Sequence, residues 1–362
     1  MKWNTKHILL TIFLPVQILL VQWAAQNSTI VEHYYSRRIY VLISAILRRI
    51  FGWIPFSFGD VLLALLLFFG VRFFYRLIKH RFHNFFPKII HFSAILSILY
   101  FCFYFFWGLN YYREPLAKNL NYQPQKYTTL QLTKVTEKII SQLNFYHLKI
   151  ASNDTLKPKN PYNQNEMYEM AVAGYKNLSI NFPLLEYKTP SIKSSLMSFL
   201  QTYNGTSGYM NPLTGEAQVN AKIPKTGYPT TICHEMAHQI GFAAENEANF
   251  IGFLAANYNE NTYFKYASYR MAFSYCISEI RKRDTEKSAQ LWQKVNKGII
   301  KDFNDSYLFW QAYKNPFEPL IKKGYNAYLK ANKQEKGIES YNYIVDLLIS
   351  YFERENQHKT AI

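Results

Sequence analysis

Cysteine is nearly absent from this chain of 362 residues, which has only Cys102, Cys233 and Cys276. A disulfide-stapled miniprotein is excluded, and a single bridge between Cys233 and Cys276 is the most that could form. Acids are scarce as well, 24 Asp and Glu against 41 Lys and Arg, for a formal charge of +17. The basic excess is nowhere gathered into a block or interleaved with aromatics, so a nucleic-acid partner is not expected. No internal repeat and no low-complexity tract is present. What the chain does have is length for two or three structural units, 30 Tyr and 28 Phe, and long apolar runs confined to one end.

Residues 1–115 hold those runs. Counted from the sequence, they carry 12 Lys and Arg against 3 Asp and Glu, leaving 29 against 21 for residues 116–362. Crossing a hydrocarbon layer of ~30 Å takes about 20 mostly apolar helical residues, because a backbone amide there has no water to pair with. The stretches at about 8–25, 61–77 and 89–109 meet that requirement and predict three transmembrane helices. The apolar segment Ile39–Ile54 is interrupted by Arg48 and Arg49, which suits an interfacial or short re-entrant piece. Lys2 and Lys6 before the first span, with Arg72, Arg76, Lys79, Arg81 and Lys88 between the second and third, favour a cytoplasmic N-terminus. Arg37, Arg38, Arg48 and Arg49 weaken that bias. The expected location is a bacterial inner membrane, crossed several times, with the remainder of the chain on the outer, periplasmic side.

Residues 116–362 read as an ordinary folded domain, mainly helical. Apolar residues recur at helical spacing over Leu130–Leu148 and Glu166–Leu178, and helices also fit Ser288–Phe303, Leu320–Ala331 and Tyr341–Phe352. Between them, Asn211-Pro212-Leu213-Thr214-Gly215 reads as a turn and Glu216–Asn220 alternates like a short strand, predicting a small hairpin or an edge strand. The expected fold is therefore mainly α: three N-terminal transmembrane helices, then an α+β domain with a small hairpin or sheet.

The chemistry concentrates after Pro229. Thr230 and Thr231 suit an N-cap, and Ile232-Cys233-His234-Glu235-Met236-Ala237-His238-Gln239-Ile240-Gly241 follows. On a helix His234 and His238 lie one turn apart on one face, so both imidazoles can point at one metal ion. Glu235, rotated by about 100° per residue, stands beside that ion as a proton acceptor. Gly241 offers a left-handed stop, and a second helix carries Glu245, Glu247 and Asn249. A catalytic zinc takes three protein ligands and keeps one position open. Glu245 is the expected third ligand, with Asn249 one turn on as a partner for a ligand histidine; Glu247 is the competing choice. Tyr263, Tyr266, Tyr269 and Arg270 are candidates to stabilise an oxyanion. The strand Glu216–Asn220 could pair with an extended substrate or simply brace the central helix. Lys330-Ala331-Asn332 could close the cleft or end a helix.

Trp107–Arg113, Gly208–Ala217, His234–Leu254 and Tyr328–Asn332 together resemble an uncharacterised bacterial family of polytopic membrane proteins, a domain of unknown function. The resemblance runs over nearly the whole chain. It implies a membrane-anchored zinc metallopeptidase whose α+β domain is zincin-like, and no particular substrate. The second-helix acids are similar to those of gluzincins, although Asn249 replaces an expected Asp and the gap from His238 to Glu245 is short. His238–Gly241 is similar to the metzincin turn, but Ala244 stands where a third histidine would be. The expected function is hydrolysis of peptide bonds by metal-activated water, with one Zn2+ per chain, Glu235 as base, and a peptide or protein as substrate beside membrane lipid. The alternative is a non-catalytic envelope protein with a structural or exhausted zinc site.

Overall fold

A computed structural model describes residues 5–122, 126–334, 337 and 343–360. Lys2 and the expected helix start at Tyr341 lie outside these residues. Among the described residues, three helices are long and apolar enough to cross a membrane: α1 (Thr5–Gln26), α3 (Phe58–Lys79) and α4 (Phe85–Phe106). Between α1 and α3 lies α2 (Tyr40–Gly52). α1 and α4 run side by side, joined at depth by the Gln17 amide donating to Ser97 Oγ at 2.8 Å and by Thr11 Oγ1 donating to the Ile90 carbonyl at 3.1 Å. Such polar pairs suit a medium where apolar contact alone gives helices little reason to associate.

The third span ends three residues earlier than its hydropathy predicts. Gly108–Tyr112 forms a 3-10 turn instead, because Trp107 turns inward to hydrogen-bond the folded domain. The segment expected to lie in the interface is the amphipathic helix α2. Tyr40, Ser44 and Arg48, spaced by four, are buried against the domain, while Val41, Leu42, Ile46 and Ile50 are exposed on the opposite side. Its two arginines therefore differ in kind, and Arg48 lies over the Tyr187 ring. A π-helical stretch, Val31–Ile39, precedes it and turns Glu32, Tyr35 and Ser36 inward.

In the remainder, α5 (Thr129–Ile150) and α6 (Gln164–Asn181) both begin with a capping box, Thr128 with Gln131 and Asn163 with Glu166. α7 (Tyr228–Gln239), α8 (Glu245–Asn257) and α9 (Thr262–Arg283) pack in sequence, with α5 against α9. The expected single helix Ser288–Phe303 is two, α10 (Thr285–Trp292) and α11 (Lys297–Ala312). Asn296, which receives no helical continuation from Val295, is held instead by Asn144. α12 (Glu318–Ala331) and α13 (Ile344–Thr360) follow. Leu132, Ile139 and Leu143 of α5 join Phe253, Phe273 and Leu348 in one core. Cys233 and Cys276 are buried, unpaired members of it.

The sheet described has three strands, β1 (Ile192–Ser194), β2 (Gly208–Met210) and β3 (Ala217–Val219), in the order β1-β3-β2. β3 is parallel to β1 and antiparallel to β2. The strand read as Glu216–Asn220 is thus central and not an edge. Both its sides are already paired, so it has no backbone groups to offer an extended substrate. β2 is the edge.

Glu216, one residue before β3, fastens the sheet to the start of the apolar helix α3. Its fully buried carboxylate accepts from the Phe58 and Gly59 amides at the start of α3, from Thr214 Oγ1 and from Lys193 Nζ. Asp60, in the first turn of α3, accepts in return from Ser195 Oγ, the Leu196 amide and Tyr209 OH. An acid at a helix N-terminus meets exposed amides and the positive end of the helix dipole, which explains why these two carboxylates sit at this joint.

Candidate functional site

The site grows from the start of α7. Its N-cap is Gly227, with Pro229 in the first turn, and not Thr230 or Thr231 as the sequence suggests. A proline needs no amide partner in the first turn, so the helix can begin ahead of the threonines. Their hydroxyls donate back to the Gly227 carbonyl. At the other end Gly241 adopts φ +88°, and the Phe242 amide closes onto the Ala237 carbonyl at 3.1 Å. A side chain at Gly241 would meet the Tyr40 ring at 2.9 Å, so the left-handed turn is also a place of close approach. That reversal brings α8 back alongside α7 and lays Glu245 next to both histidines.

Three donor atoms converge. His234 Nε2 and His238 Nε2 are 3.1 Å apart, and Glu245 Oε2 lies 3.2 Å from the first and 3.6 Å from the second. Bonds of ~2.0–2.1 Å arranged tetrahedrally put ligand atoms about 3.3–3.4 Å from one another, and the three separations fall within about 0.3 Å on either side of that range. The His238 ring is set by its Nδ1 contact with the Phe242 carbonyl at 2.7 Å, the expected role of a backbone oxygen behind a ligand imidazole. Asn249, assigned that role from the sequence, is buried in the cavity wall, and the partner of His238 is Phe242. Glu235 stands with His234 and His238 in one group whose potential ligand atoms lie within 4.8 Å of one another. Its Oε2 is buried without a hydrogen-bond partner. Buried acceptors of this kind are rare unless something is meant to bind them. The two imidazoles and Glu245 are therefore the residues that could hold one metal ion.

The electrostatics follow from burial and proximity. Burial opposes charge on Glu245, but hydrogen bonds and attraction from both imidazoles outweigh it and hold the carboxyl well below the usual range. Burial also works against a charged His238, yet Glu245 and Glu235 overcome it and lift the imidazole to about 9. Glu235 is raised, mainly by burial, with Glu245 adding repulsion and the histidines opposing. Glu247 points elsewhere. Its Oε1 accepts the Leu116 amide at 2.7 Å, and burial raises it to about 7.

A cavity of about 1250 Å³ opens onto the cluster. Arg270 is in its wall but is committed to Asp302 at 2.6 Å, an acid that Tyr266 also contacts. Tyr263 donates to the Lys159 carbonyl, and Tyr269 stacks on Tyr146. The three tyrosines proposed for an oxyanion thus belong to packing. The phenol that does reach the cluster is Tyr325 on α12, donating to Glu245 Oε1 at 2.7 Å. Tyr325 and Tyr328 recur at helical spacing on an amphipathic helix, a signal that marks an inward face without saying what it faces. Lys330-Ala331-Asn332 ends that helix, where buried Asn332 accepts from Tyr104 OH at 3.0 Å and ties α12 to the third span.

A family model described as a protein of unknown function, DUF3810, matches residues 35–349. The chain belongs to the DUF3810 family. Neither the curated proteins nor the solved structures contain a match to it. The DUF3810 match begins within the π-helical stretch and ends within α13, so it takes in α2, two of the spans, the sheet and every residue of the cluster.

Proposed function

We propose that this protein is a membrane-anchored zinc-dependent peptidase of zincin type, working on the outer face of the bacterial cytoplasmic membrane. The observation that carries the reading is the spacing of His234 Nε2, His238 Nε2 and Glu245 Oε2, with an unpartnered Glu235 carboxylate beside them and a large cavity in front. Zinc bound to these three residues would act as a Lewis acid and make water nucleophilic near neutral pH.

The chain's own residues supply the rest. Glu235 accepts a proton as water oxygen bonds to the peptide carbonyl carbon, then delivers it to the amine nitrogen as the C–N bond breaks. Edge strand β2 passes directly beside Glu235: a Cβ at Gly208 would lie 2.7 Å from Glu235 Oε1. Its outer backbone edge can pair with an extended substrate, the part assigned from sequence to the strand that turns out to be central. Tyr325 orients Glu245 by its hydrogen bond.

The topology fits the charge rule. Lys6, Arg72, Arg76, Lys79, Arg81 and Lys88 all lie toward the span ends remote from the cluster. Of the arginines that weakened the bias, Arg37 pairs with Glu32 and Arg48 is buried.

The test is made on the full chain in detergent micelles. About one zinc per chain is expected, lost in His238→Ala and Glu245→Ala and retained in Glu247→Ala. Glu235→Gln should keep the metal and abolish zinc-dependent cleavage of a fluorogenic peptide library. Zinc bound with no such cleavage in the unsubstituted chain would leave a structural metal site and end the peptidase reading.

A further inference from the structure

The cavity in front of the cluster does not stop at the domain. Its wall continues down the spans as Leu62, Leu63 and Leu66 of α3 and Leu99 and Phe103 of α4. At 1.5 Å per residue, Leu66 lies about 12 Å below the start of α3 at Phe58, and Leu99 about 10 Å below the end of α4 at Phe106. That depth approaches one leaflet, half of a ~30 Å hydrocarbon core. Farther down the two spans close on each other, where Phe73 and Phe74 pack against Phe92 with ring centroids 4.8 and 5.4 Å apart. The result is a wedge open to the cluster at the top and shut below.

Its occupant must be apolar, because the span residues lining the wedge are leucine and phenylalanine. It must also end within one leaflet. A transmembrane helix, ~10–12 Å across and continuous through the bilayer, cannot pass the closed lower end. An unwound peptide would carry backbone amides into hydrocarbon with no partners. A hydrocarbon chain has neither problem, and it can remain attached to a polar group that reaches the histidines.

We propose that the substrate is lipid-anchored: an acyl chain lies between α3 and α4 while the bond to be hydrolysed sits at His234, Glu235 and His238. This rests on the peptidase reading for the reaction, though not for the lipid seat.

The experiment uses the full-length Glu235→Gln chain, loaded with zinc, in phosphatidylcholine nanodiscs, so that bound peptide is not consumed. The probe is a palmitoylated peptide with a diazirine in its acyl chain, and cross-links are mapped by mass spectrometry. Saturable labelling at Leu62, Leu63, Leu66, Leu99 or Phe103 is expected, displaced by unlabelled palmitoylated peptide and not by the same peptide without its chain. Because phosphatidylcholine is present in large excess, saturation also separates a lipidated peptide from bulk lipid. Leu66→Trp, which fills the wedge far from the metal donors, should lower this labelling about tenfold, a loss of ~1.4 kcal/mol, at unchanged zinc content. Labelling spread evenly over lipid-facing Leu19, Leu67 and Phe69, or displaced equally by the bare peptide, would overturn the proposal. Labelling confined to the wedge, with no zinc- and Glu235-dependent cleavage of the palmitoylated peptide by the unsubstituted chain, would keep the lipid seat and refute the peptidase reading.

Discussion

Replacing Glu216 with alanine tests the joint between sheet and membrane. Its carboxylate is fully buried and receives the Phe58 amide at 3.2 Å, the Gly59 amide, Thr214 Oγ1 at 2.9 Å and the Lys193 ammonium. Lys193 is itself buried and also donates to the Phe51 carbonyl at 2.7 Å. Removing one partner of a buried pair strands the other charge, which costs about 3–5 kcal/mol. Losing the acceptor at the start of α3 adds to that cost, on the order of 1 kcal/mol for a helix cap. If the stranded ammonium is the main penalty, Glu216→Ala combined with Lys193→Met should be more stable than Glu216→Ala alone, with a coupling of about 1–3 kcal/mol. Denaturant unfolding of the four proteins in micelles, followed by tryptophan fluorescence, gives the cycle. Hydrogen exchange at residues 58 and 59 should rise in both Glu216 variants, since either removes the acceptor of those two amides. A Glu216→Ala chain as stable as the parent, or additive single effects, would refute the account of Glu216 as the acid that holds sheet, lysine and span together.

Other outcomes follow from the same geometry. Gly208→Ala would place a Cβ 2.7 Å from Glu235 Oε1 and 2.9 Å from the Gln218 carbonyl, and since the second atom is backbone, the carboxylate must yield. Zinc content should be unchanged while kcat falls by about 100-fold, the scale set by a ~1 Å misplacement; an unaltered kcat would separate β2 from the reaction. Tyr325→Phe removes the 2.7 Å hydrogen bond to Glu245 and should weaken zinc binding about 10-fold, measured by chelator competition, without unfolding the chain. Zinc binding should also be linked to pH. His238 in the metal-free protein is raised to about 9, so below that pH a proton must leave before the imidazole can ligate. Affinity should therefore climb about tenfold per pH unit from 6 to 8, with proton release visible by calorimetry in buffers of different ionisation enthalpy. A flat profile would mean the imidazole is already neutral.

The sequence exposed those features whose physical causes are local. The three spans follow from twenty-residue apolar runs, and His234 and His238 fall on one face because helical spacing puts them there. Capped helix starts at Thr128 and Asn163 lie within two or three residues of the expected onsets. What could not be read depends on partners far along the chain. Nothing in Glu216–Asn220 tells that β1, more than twenty residues earlier, will take its other side and make it central. Nothing local separates Glu245 from Glu247 either. Their difference lies in the Leu116 amide, which claims Glu247 from well over a hundred positions away. Tyr325 was hidden among 30 tyrosines of equal promise. The N-cap was missed for a different reason: two threonines offer better caps than glycine, and Pro229 decided the matter.

The distribution of hydrogen bonds around the end of α7 shows why the membrane segments are more than an anchor. A helix leaves its last carbonyls without intrahelical partners, and burying them unpaired costs free energy for each. Here the His238 carbonyl accepts from the Trp107 ring N–H at 3.0 Å, the Gln239 carbonyl from Tyr40 OH and Ser44 Oγ at 2.9 Å each, and the Gly241 carbonyl from Arg113 at 2.8 Å. All four donors belong to the first 115 residues. Arg113 is fixed in turn by a two-pronged contact with Glu32 in the π-helical stretch and lies over the Phe242 ring, whose carbonyl sets His238. The polar residues of the membrane-proximal segments therefore complete the helix that carries both histidines. Their burial explains how a region otherwise rich in leucine and phenylalanine retains Tyr40, Ser44 and Arg113: each answers a carbonyl that α7 cannot satisfy by itself.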